Sequence, residues 1–238
     1  MIATKFGFVV DEASKRVTRF EHVEEVIKDV RPACEASLRR LGTDYIDLFQ
    51  LHVWDYPAEP AVALREVLEE LVQAGKIRTY GWSTDSVELA QVFAEGEHCT
   101  AIQHDLNVVL DAPEMLALCE RQDLASVNRS PLARGALTGK YNKDTSFAGN
   151  DVRSDSYTAE HFFGPSLDRL EALHGILTSG GRTLAQGALA WVLTRSPKTI
   201  PIPGIRTVRQ VEENSAALQL GPLTPHQMRQ IDELMGRN

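Results

Sequence analysis

The stretch Tyr45-Ile-Asp-Leu-Phe-Gln-Leu-His52 decides the fold, because it is too apolar to leave one face of a strand in water. Strands of this kind are typical of parallel sheets whose two faces are both covered. Upstream of it, apolar residues recur at helical spacing over residues 21–41, and Gly42 marks the end of that helix. The stretch therefore predicts one strand of a protein in which strands and helices alternate.

The same strand–helix unit recurs along the whole chain. We predict strands at 2–6, 45–51, 77–82, 100–104, 124–129 and 199–202, with helices between them and two more after the last strand. Alternating units imply an α/β protein with a parallel sheet, either doubly wound or closed into a barrel. Because no linker interrupts the pattern, we predict a single domain over residues 1–238. Residues 7–20 are predicted as a loop, and the polar loop 142–156 as the most mobile element.

Bulk composition excludes several classes of protein. The 238 residues are 43% hydrophobic and 24% charged, as in ordinary globular proteins. A net charge of −8 argues against a broad surface for nucleic acid or anionic membranes. No apolar run approaches the ~20 residues that cross a bilayer. Three cysteines and a start unlike a signal peptide predict a cytoplasmic protein.

Polar side chains gather where the predicted strands end. Lys5 lies within the first strand, His52 directly follows the second, and Ser83, Gln103 and Arg129 mark the ends of the next three. Functional groups collect at the carboxyl ends of strands in parallel α/β folds, so these positions together predict a pocket. Taken singly, Lys5 could be a lysine at the solvent end of its strand, and His52 a hydrogen-bonded loop residue.

Common motifs for metals and nucleotides are missing from the sequence. A metal site at His98, Cys99 and His104 is an alternative, but these residues straddle a short strand at poor spacing. The chain has no G-x-G-x-x-G, and Gly135-Ala-Leu-Thr-Gly-Lys-Tyr141 departs from a P-loop in its spacing and in the residue after Lys. We therefore predict no metal ion and no Rossmann-type nucleotide site.

Four motifs point to a known family. The stretch Ser37-Leu-Arg-Arg-Leu-Gly-Thr-Asp-Tyr-Ile-Asp-Leu-Phe-Gln-Leu-His52 resembles a signature of the aldo-keto reductase superfamily, and so do residues 2–7, 130–141 and 202–214. The match covers essentially the whole chain. It implies a TIM-type (β/α)8 barrel that binds NADP(H) at the carboxyl ends of its strands and reduces a small-molecule carbonyl substrate.

The resemblance also implies roles for the residues at the strand ends. Lys5 matches the family's catalytic lysine, which lowers the pKa of a tyrosine general acid. His52 matches the catalytic histidine, which orients the substrate carbonyl and assists proton transfer. Ser83 and Gln103 match the residues that hold the nicotinamide carboxamide, and Arg129 falls where an aromatic or arginine side chain stacks on the ring.

Further cofactor contacts are implied in two later segments. Thr84, where the family commonly has Asn, is a doubtful member of the site. A helix beginning near Thr207 would present free N–H groups to a phosphate. The guanidinium of Arg206 beside it would add a charge-assisted contact, which favours NADPH over NADH. The alternative is an ordinary helix start with a surface arginine. The implied cofactor-binding residues are Ser130, Leu132, Gly204, Arg206, Gln210, Glu213 and Asn214.

No residue matches the family's catalytic tyrosine or its partner aspartate, which belong to the second βα unit. We therefore expect a truncated chain that starts in the third unit, an incomplete barrel of six βα units with C-terminal helices. Its open edges would favour a homo-oligomer. We predict NADPH-dependent reduction of aldehydes or ketones, impaired or lost in this form, with Tyr56 a conceivable substitute acid. The alternative is a non-catalytic module that binds NADPH or a partner protein, as potassium-channel β subunits of this superfamily do.

Overall fold

In the computed structural model the described residues are 1–11, 13–14, 16–141, 145, 147–149, 151, 154 and 166–237. The loop predicted at 142–156 lies largely outside them. The chain forms two compact units, which are described separately. The first comprises Met1–His104 and Pro113–Ser126, and the second comprises Asp105–Ala112 and Val127–Asn238.

The first unit is built from parallel strands and the helices that connect them. Its strands are β1 (Ala3–Phe6), β2 (Val9–Asp11), β3 (Arg16–Thr18), β4 (Ile46–Leu51), β5 (Ile77–Ser83) and β6 (Cys99–Asp105, up to His104 in this unit). Its helices are α1 (Val23–Leu41), α2 (Ala58–Gln73), α3 (Val87–Ala94) and α4 (Pro113–Arg121). These bounds confirm the alternating pattern to within a few residues.

The sheet of this unit is parallel, as predicted. β1 pairs with β4, β4 with β5, and β5 with β6. Gly81 lies at a register shift between β5 and β6, and a Cβ atom there would come within 2.2 Å of the Ala101 carbonyl oxygen. Only glycine therefore allows the two backbones to approach this closely.

The segment predicted as a loop at 7–20 contains a β-hairpin instead. Strands β2 and β3 pair antiparallel, with Val9 opposite Thr18 and Val10 opposite Val17. All six strand residues are exposed, so neither face carries the alternation of apolar and polar residues by which a half-buried strand is recognised. The loop prediction is wrong here because the hairpin has no core-facing side.

The residues considered for a metal site have other partners. The ring Nδ1 of His98 lies 2.6 Å from a carboxylate oxygen of Glu69, and Nε2 of His104 lies 2.8 Å from the hydroxyl of Ser126. Cys99 is buried. Among the described residues, no group of three or more His, Cys, Asp or Glu side chains is arranged to hold a metal ion.

The second unit contains the rest of β6 and the end of β7 (Ala125–Arg129, from Val127 in this unit) together with β8 (Thr199–Pro201). The amide of Ile202, just after β8, donates to the Asn128 carbonyl at 3.0 Å, so β8 lies beside β7. Its helices are α5 (Ser166–Leu177), α6 (Leu184–Arg195), α7 (Val208–Ala216) and α8 (Pro225–Met235). No helix in the described part of the chain is long and apolar enough to span a membrane.

Three helices of the second unit begin with the same capping box. In each, the hydroxyl of a threonine accepts a hydrogen bond from the backbone amide three residues later, and the side-chain oxygen of the glutamine at that position accepts one from the threonine amide. The pairs are Thr183 with Gln186, Thr207 with Gln210, and Thr224 with Gln227. These local signals explain why the sequence predicts the starts of α6, α7 and α8 closely.

Candidate active site

Four predicted site residues of the first unit share one face of its sheet. Lys5 pairs in register with Gln50, and His52 lies two positions beyond Gln50. Ser83 lies two positions beyond the β5 residue that pairs with Gln50, and itself pairs with Gln103. Residues in register, and residues two apart along a strand, point to the same face. The sheet therefore places these side chains side by side near the carboxyl ends of its strands.

This face holds buried polar groups. Ser83 is 1% exposed, Gln103 5% and Gln50 2%, whereas His52 is exposed. The side-chain amide nitrogen of Gln50 has no hydrogen-bond partner in the part of the chain that the structure describes. A buried donor without a partner costs about 1–3 kcal/mol, so a native protein is expected to satisfy it with a water or a ligand. The face around Lys5 is thus suited to a polar ligand.

Thr84 supports the loop that follows His52. Its hydroxyl is fully buried and donates to the Trp54 carbonyl at 2.7 Å, while accepting from the Ser86 amide at 3.2 Å. The indole N–H of Trp82 donates to the Val53 carbonyl at 2.8 Å. Thr84 is therefore a structural support for the loop after β4, a role that sequence reasoning missed.

Tyr56, considered above as a substitute acid, and Tyr80 are both held away from the role of proton donor. The Tyr56 hydroxyl donates to the Val23 carbonyl at 2.8 Å, and burial, followed by the charge of Glu24, raises its pKa to about 12. The Tyr80 hydroxyl donates to Glu69 at 2.6 Å, and burial together with that carboxylate raises its pKa. Neither phenol is a good acid near neutral pH.

A cavity of about 600 Å³ lies within the second unit. Its walls come from residues 130–141, from Asp151 and Ala185, from 202–206 after β8, and from α7. All seven residues implied for the later cofactor contacts line it, namely Ser130, Leu132, Gly204, Arg206, Gln210, Glu213 and Asn214. Arg134 and Lys140, which the sequence did not single out, line it as well, so three cations and the two carboxylates of Asp151 and Glu213 face one cavity. Such a lining is suited to an anionic ligand.

The wall of this cavity is a strained turn after β7. Ser130, Ala133 and Arg134 have φ angles of 50°, 48° and 50°, and Gly135 has 106°. Left-handed conformations cost residues other than glycine about 1–2 kcal/mol each, so surrounding contacts must hold them. One such contact comes from the fully buried Asn107, whose amide nitrogen donates to the Ser130 carbonyl at 3.1 Å.

Asn107 itself is fixed by its own loop. Its side-chain oxygen accepts from the backbone amides of Val109 and Leu110, both at 2.9 Å. Its own backbone amide donates to the Leu110 carbonyl at 2.9 Å. The buried side chain thus joins the 107–110 loop to the turn at Ser130. A polar residue shortly after the apolar strand β6 is the only sequence signal for this role.

The side chain of Arg129 is held by Asp105. Nε lies 3.0 Å from one carboxylate oxygen and Nη2 lies 3.3 Å from the other. A two-point contact of this kind fixes the plane of a guanidinium while leaving its faces open. Asp105 lies two positions beyond Gln103 in β6, so the alternation of the strand could have indicated it.

Two backbone amides just before α7 are bound by a side chain of that helix. The side-chain oxygen of Gln210 accepts from the amides of Arg206 and Thr207, at 2.7 and 3.2 Å. The Gln210 side chain therefore uses these two N–H groups, which precede the helix, whereas the predicted contact of the helix's own N–H groups with a phosphate stays a prediction. A Cβ atom at Gly204 would meet nothing within 4 Å, so packing does not require glycine there.

Comparison with known proteins settles the family. The model of the aldo/keto reductase family matches residues 1–235. The chain belongs to the aldo/keto reductase family. Among curated relatives, the aldo-keto reductase yakc [NADP(+)] of Schizosaccharomyces pombe is 30% identical over 92% of this chain and 65% of its own length. Aldo-keto reductase YhdN of Bacillus subtilis is 31% identical over 89% of this chain and 63% of its own length.

Solved structures of the family are also similar. The glycerol dehydrogenase AKR11B4 from Gluconobacter oxydans matches 99% of this chain and 72% of its own, with a TM-score of 0.82 and 29% identity. An aldo-keto reductase from Klebsiella pneumoniae in complex with NADPH matches 87% of this chain and 65% of its own, with a TM-score of 0.64 and 29% identity. The chain spans 58–66% of the length of the first four curated relatives.

Proposed function

We propose that this aldo/keto reductase family protein uses NADPH to reduce the carbonyl group of aldehydes or ketones. The observation that carries the proposal is the shared sheet face on which Lys5, His52, Ser83 and Gln103 lie at neighbouring strand ends. Membership of the family supports the same reading. The TIM-type barrel, the single domain over 1–238, the cytoplasmic location and the homo-oligomer stay predictions.

For the cofactor, we propose NADP(H), and the donor set of the second unit fits it. Arg134, Lys140 and Arg206 line one cavity beside Asp151 and Glu213, and these three cations are of the type that contacts phosphate groups. Its volume of about 600 Å³ falls within the range of small-molecule sites, roughly 300–1,000 Å³. When bound, NADPH supplies the hydride. Ser130 and Leu132 line the cavity from the strained turn, and Gly204, Glu213 and Asn214 from the C-terminal segment.

The chain's own residues would prepare the carbonyl and the cofactor. We propose that His52 donates a hydrogen bond to the substrate oxygen, which orients the carbonyl and stabilises the charge that develops on it. We propose that the Lys5 ammonium would favour the anionic form of a phenol placed beside it, and so lower the pKa of that phenol. Ser83 and Gln103 are proposed to hold the nicotinamide carboxamide, and Arg129, fixed by Asp105, to stack on the ring.

A second candidate is a module that binds NADPH without turnover. The observation that favours it is the engagement of Tyr56 and Tyr80, whose hydroxyls bond to Val23 and Glu69 and whose pKa values are raised. A chain relying on these phenols for protons would bind the cofactor and reduce carbonyls poorly. Both candidates share the same cavity and differ only in turnover.

One pair of measurements separates the candidates. Cofactor affinity is measured by titration of NADPH and NADH fluorescence, and turnover by NADPH oxidation with added aldehydes. The reductase predicts tighter binding of NADPH than NADH, with turnover that His52→Asn lowers at least about 100-fold. His226→Asn, at an exposed position in the second unit, is the matched control and should leave turnover unchanged. Binding without turnover favours the module, and absence of NADPH binding rejects both.

A further inference from the structure

The last helix of the second unit ends in a turn that places Arg237 against the loop after β6. Gly236 has a φ of 67°, and the amide of Arg237 donates to the Asp232 carbonyl at 2.8 Å, which fixes the backbone beyond α8. The guanidinium Nη2 of Arg237 donates to the Val108 carbonyl, and Nη1 lies 3.7 Å from a carboxylate oxygen of Asp232. Arg237 therefore connects the end of α8 to the loop between β6 and α4.

A second arginine holds the same loop, and one tryptophan lies against both arginines. The ring of Trp191 is fully buried, and its centroid lies 5.2 Å from the guanidinium carbon of Arg237 and 5.5 Å from that of Arg195. Arg195 binds both carboxylate oxygens of Asp111, at 3.2 and 2.7 Å. A two-point contact of this kind fixes geometry as well as adding energy. The loop after β6 is thus anchored near its start by Arg237 and near its end by Arg195.

One peptide group links Arg237 to the side chain of Asn107. The carbonyl of the Val108–Val109 peptide accepts from Arg237, and the N–H of the same peptide donates to the Asn107 side-chain oxygen at 2.9 Å. Because a peptide group is planar and rigid, fixing its carbonyl also fixes the direction of its N–H. Hydrogen bonds joined in a chain also polarise and strengthen one another. Arg237 therefore holds the Asn107 side chain through a single peptide.

The Asn107 side chain in turn holds the cavity wall. Its amide nitrogen donates to the Ser130 carbonyl at 3.1 Å, and Ser130, with a φ of 50°, lines the cavity. A residue strained in this way keeps its conformation only while its surroundings hold it. Resting on the proposed binding of NADP(H) in this cavity, we propose that Arg237 is a positioning residue for the cofactor, which acts through Asn107 to keep the turn at Ser130 in the shape that lines the cavity.

The test measures the affinity for NADPH and the melting temperature on the same samples. Arg237→Met keeps the length of the side chain but donates no hydrogen bond, so the Kd for NADPH should rise about fivefold. A contact that only stabilises the fold would lower the melting temperature without changing the Kd of the folded chain. A Kd within twofold of that of the unmodified chain overturns the proposal. If Arg237→Met does not fold, Arg237→Lys, which keeps the charge beside Asp232 but lacks the fork of donors, takes its place under the same criterion.

Arg182 offers a matched control. It is also an arginine of the second unit whose guanidinium donates to backbone carbonyls, those of Ser179 at 3.0 Å and Leu220 at 2.7 Å. Neither Ser179 nor Leu220 is among the described residues that line the cavity. Arg182→Met should therefore lower the melting temperature and leave the Kd for NADPH unchanged. An equal rise in Kd in both variants would mean a general loosening of the unit and would overturn the proposal.

A double variant tests the route through Asn107. Once Asn107→Ala has removed the contact with Ser130, Arg237 has nothing left to transmit, so adding Arg237→Met should leave the Kd for NADPH within twofold of that of Asn107→Ala alone. Two residues that acted independently would multiply their effects. A further fivefold rise in the double variant overturns the proposal.

Amide hydrogen exchange separates this inference from the proposed function. If the unmodified chain binds no NADPH, the proposed function fails, and the positioning role is tested on the turn itself. Within residues 130–141, the amides of Ala133 and Gly135 donate to the carbonyls of Ser130 and Leu132, at 2.8 and 2.9 Å. Exchange of these amides should be at least about fivefold faster in Arg237→Met and unchanged in Arg182→Met. Unchanged exchange in Arg237→Met overturns the proposal.

Discussion

Replacing Asn107 with alanine tests whether its side chain holds the turn at Ser130 that forms part of the cavity wall. The substitution removes the bond to the Ser130 carbonyl and the two bonds that the side-chain oxygen accepts from Val109 and Leu110. At about 1 kcal/mol for each hydrogen bond, the loss is about 3 kcal/mol. Val109 and Leu110 are only half-buried, so water can bond to their freed amides, and the Ser130 carbonyl still accepts from the Ala133 amide at 2.8 Å. We therefore expect no larger loss of stability. The melting temperature should fall by about 6–12 °C.

The same substitution should weaken cofactor binding. Ser130 has a φ of 50°, and without Asn107 the turn is free to relax from the shape that lines the cavity. If Ser130 is no longer held in its strained conformation, the free energy of NADPH binding should weaken by about 1.4 kcal/mol. This corresponds to a tenfold increase in the Kd for NADPH. Thermal unfolding and fluorescence titration are measured on the same samples.

A second variant isolates the contact with Ser130. Asn107→Asp keeps the size of the side chain and the two accepted bonds, but an ionised carboxylate cannot donate to the Ser130 carbonyl. It should therefore weaken NADPH binding at least as much as the alanine variant. If both variants bind NADPH as tightly as the unmodified chain, Asn107 stabilises the fold without shaping the cavity, and the reasoning is refuted.

Three further predictions concern stability. Gly187→Ala should lower the melting temperature by several degrees, because the new Cβ would lie 2.0 Å from a backbone oxygen of α5; Gly175→Ala, with nothing within 4 Å, should raise it slightly. Equal effects would refute this. Burial would raise the pKa of Glu69, but hydrogen bonds from Tyr80 and His98 outweigh burial and hold that pKa below its ordinary value. The stability that Glu69 contributes is therefore present above about pH 4.3 and lost as pH falls through its lower folded pKa, so Glu69→Gln should flatten acid unfolding curves below pH 5. Burial raises the thiol pKa values to about 11, 12 and 11, so a thiol reagent at pH 8 should react only after unfolding with Cys34, Cys99 and Cys119.

The sequence predicted the sheet well because its signals are local. An apolar run such as 46–51 has no side that could face solvent, which is typical of a strand in a covered parallel sheet. A Thr with Gln three residues later marks the start of a helix. The hairpin of β2 and β3 carries no such signal, since the residues of both strands are exposed and no Asn-Gly lies between them in the sequence. What holds it lies at its base, where Arg19 reaches Asp55, 36 residues away. Contacts at that separation are set by the fold and leave no local pattern.

The site shows the same division between residues that a strand places and residues that another segment holds. Lys5, His52 and Gln103 could be predicted, because in a parallel sheet the end of each strand is enough to place its side chain. Alternation along β6 indicates the face on which Asp105 lies, but its pairing with Arg129, 24 residues later, could not be read from the sequence. A positioning contact of this kind controls orientation more than affinity. Replacing Asp105 with Asn should therefore lower kcat more than it raises KM for NADPH, and a change in KM alone would mean that Arg129 binds the cofactor without aligning its ring.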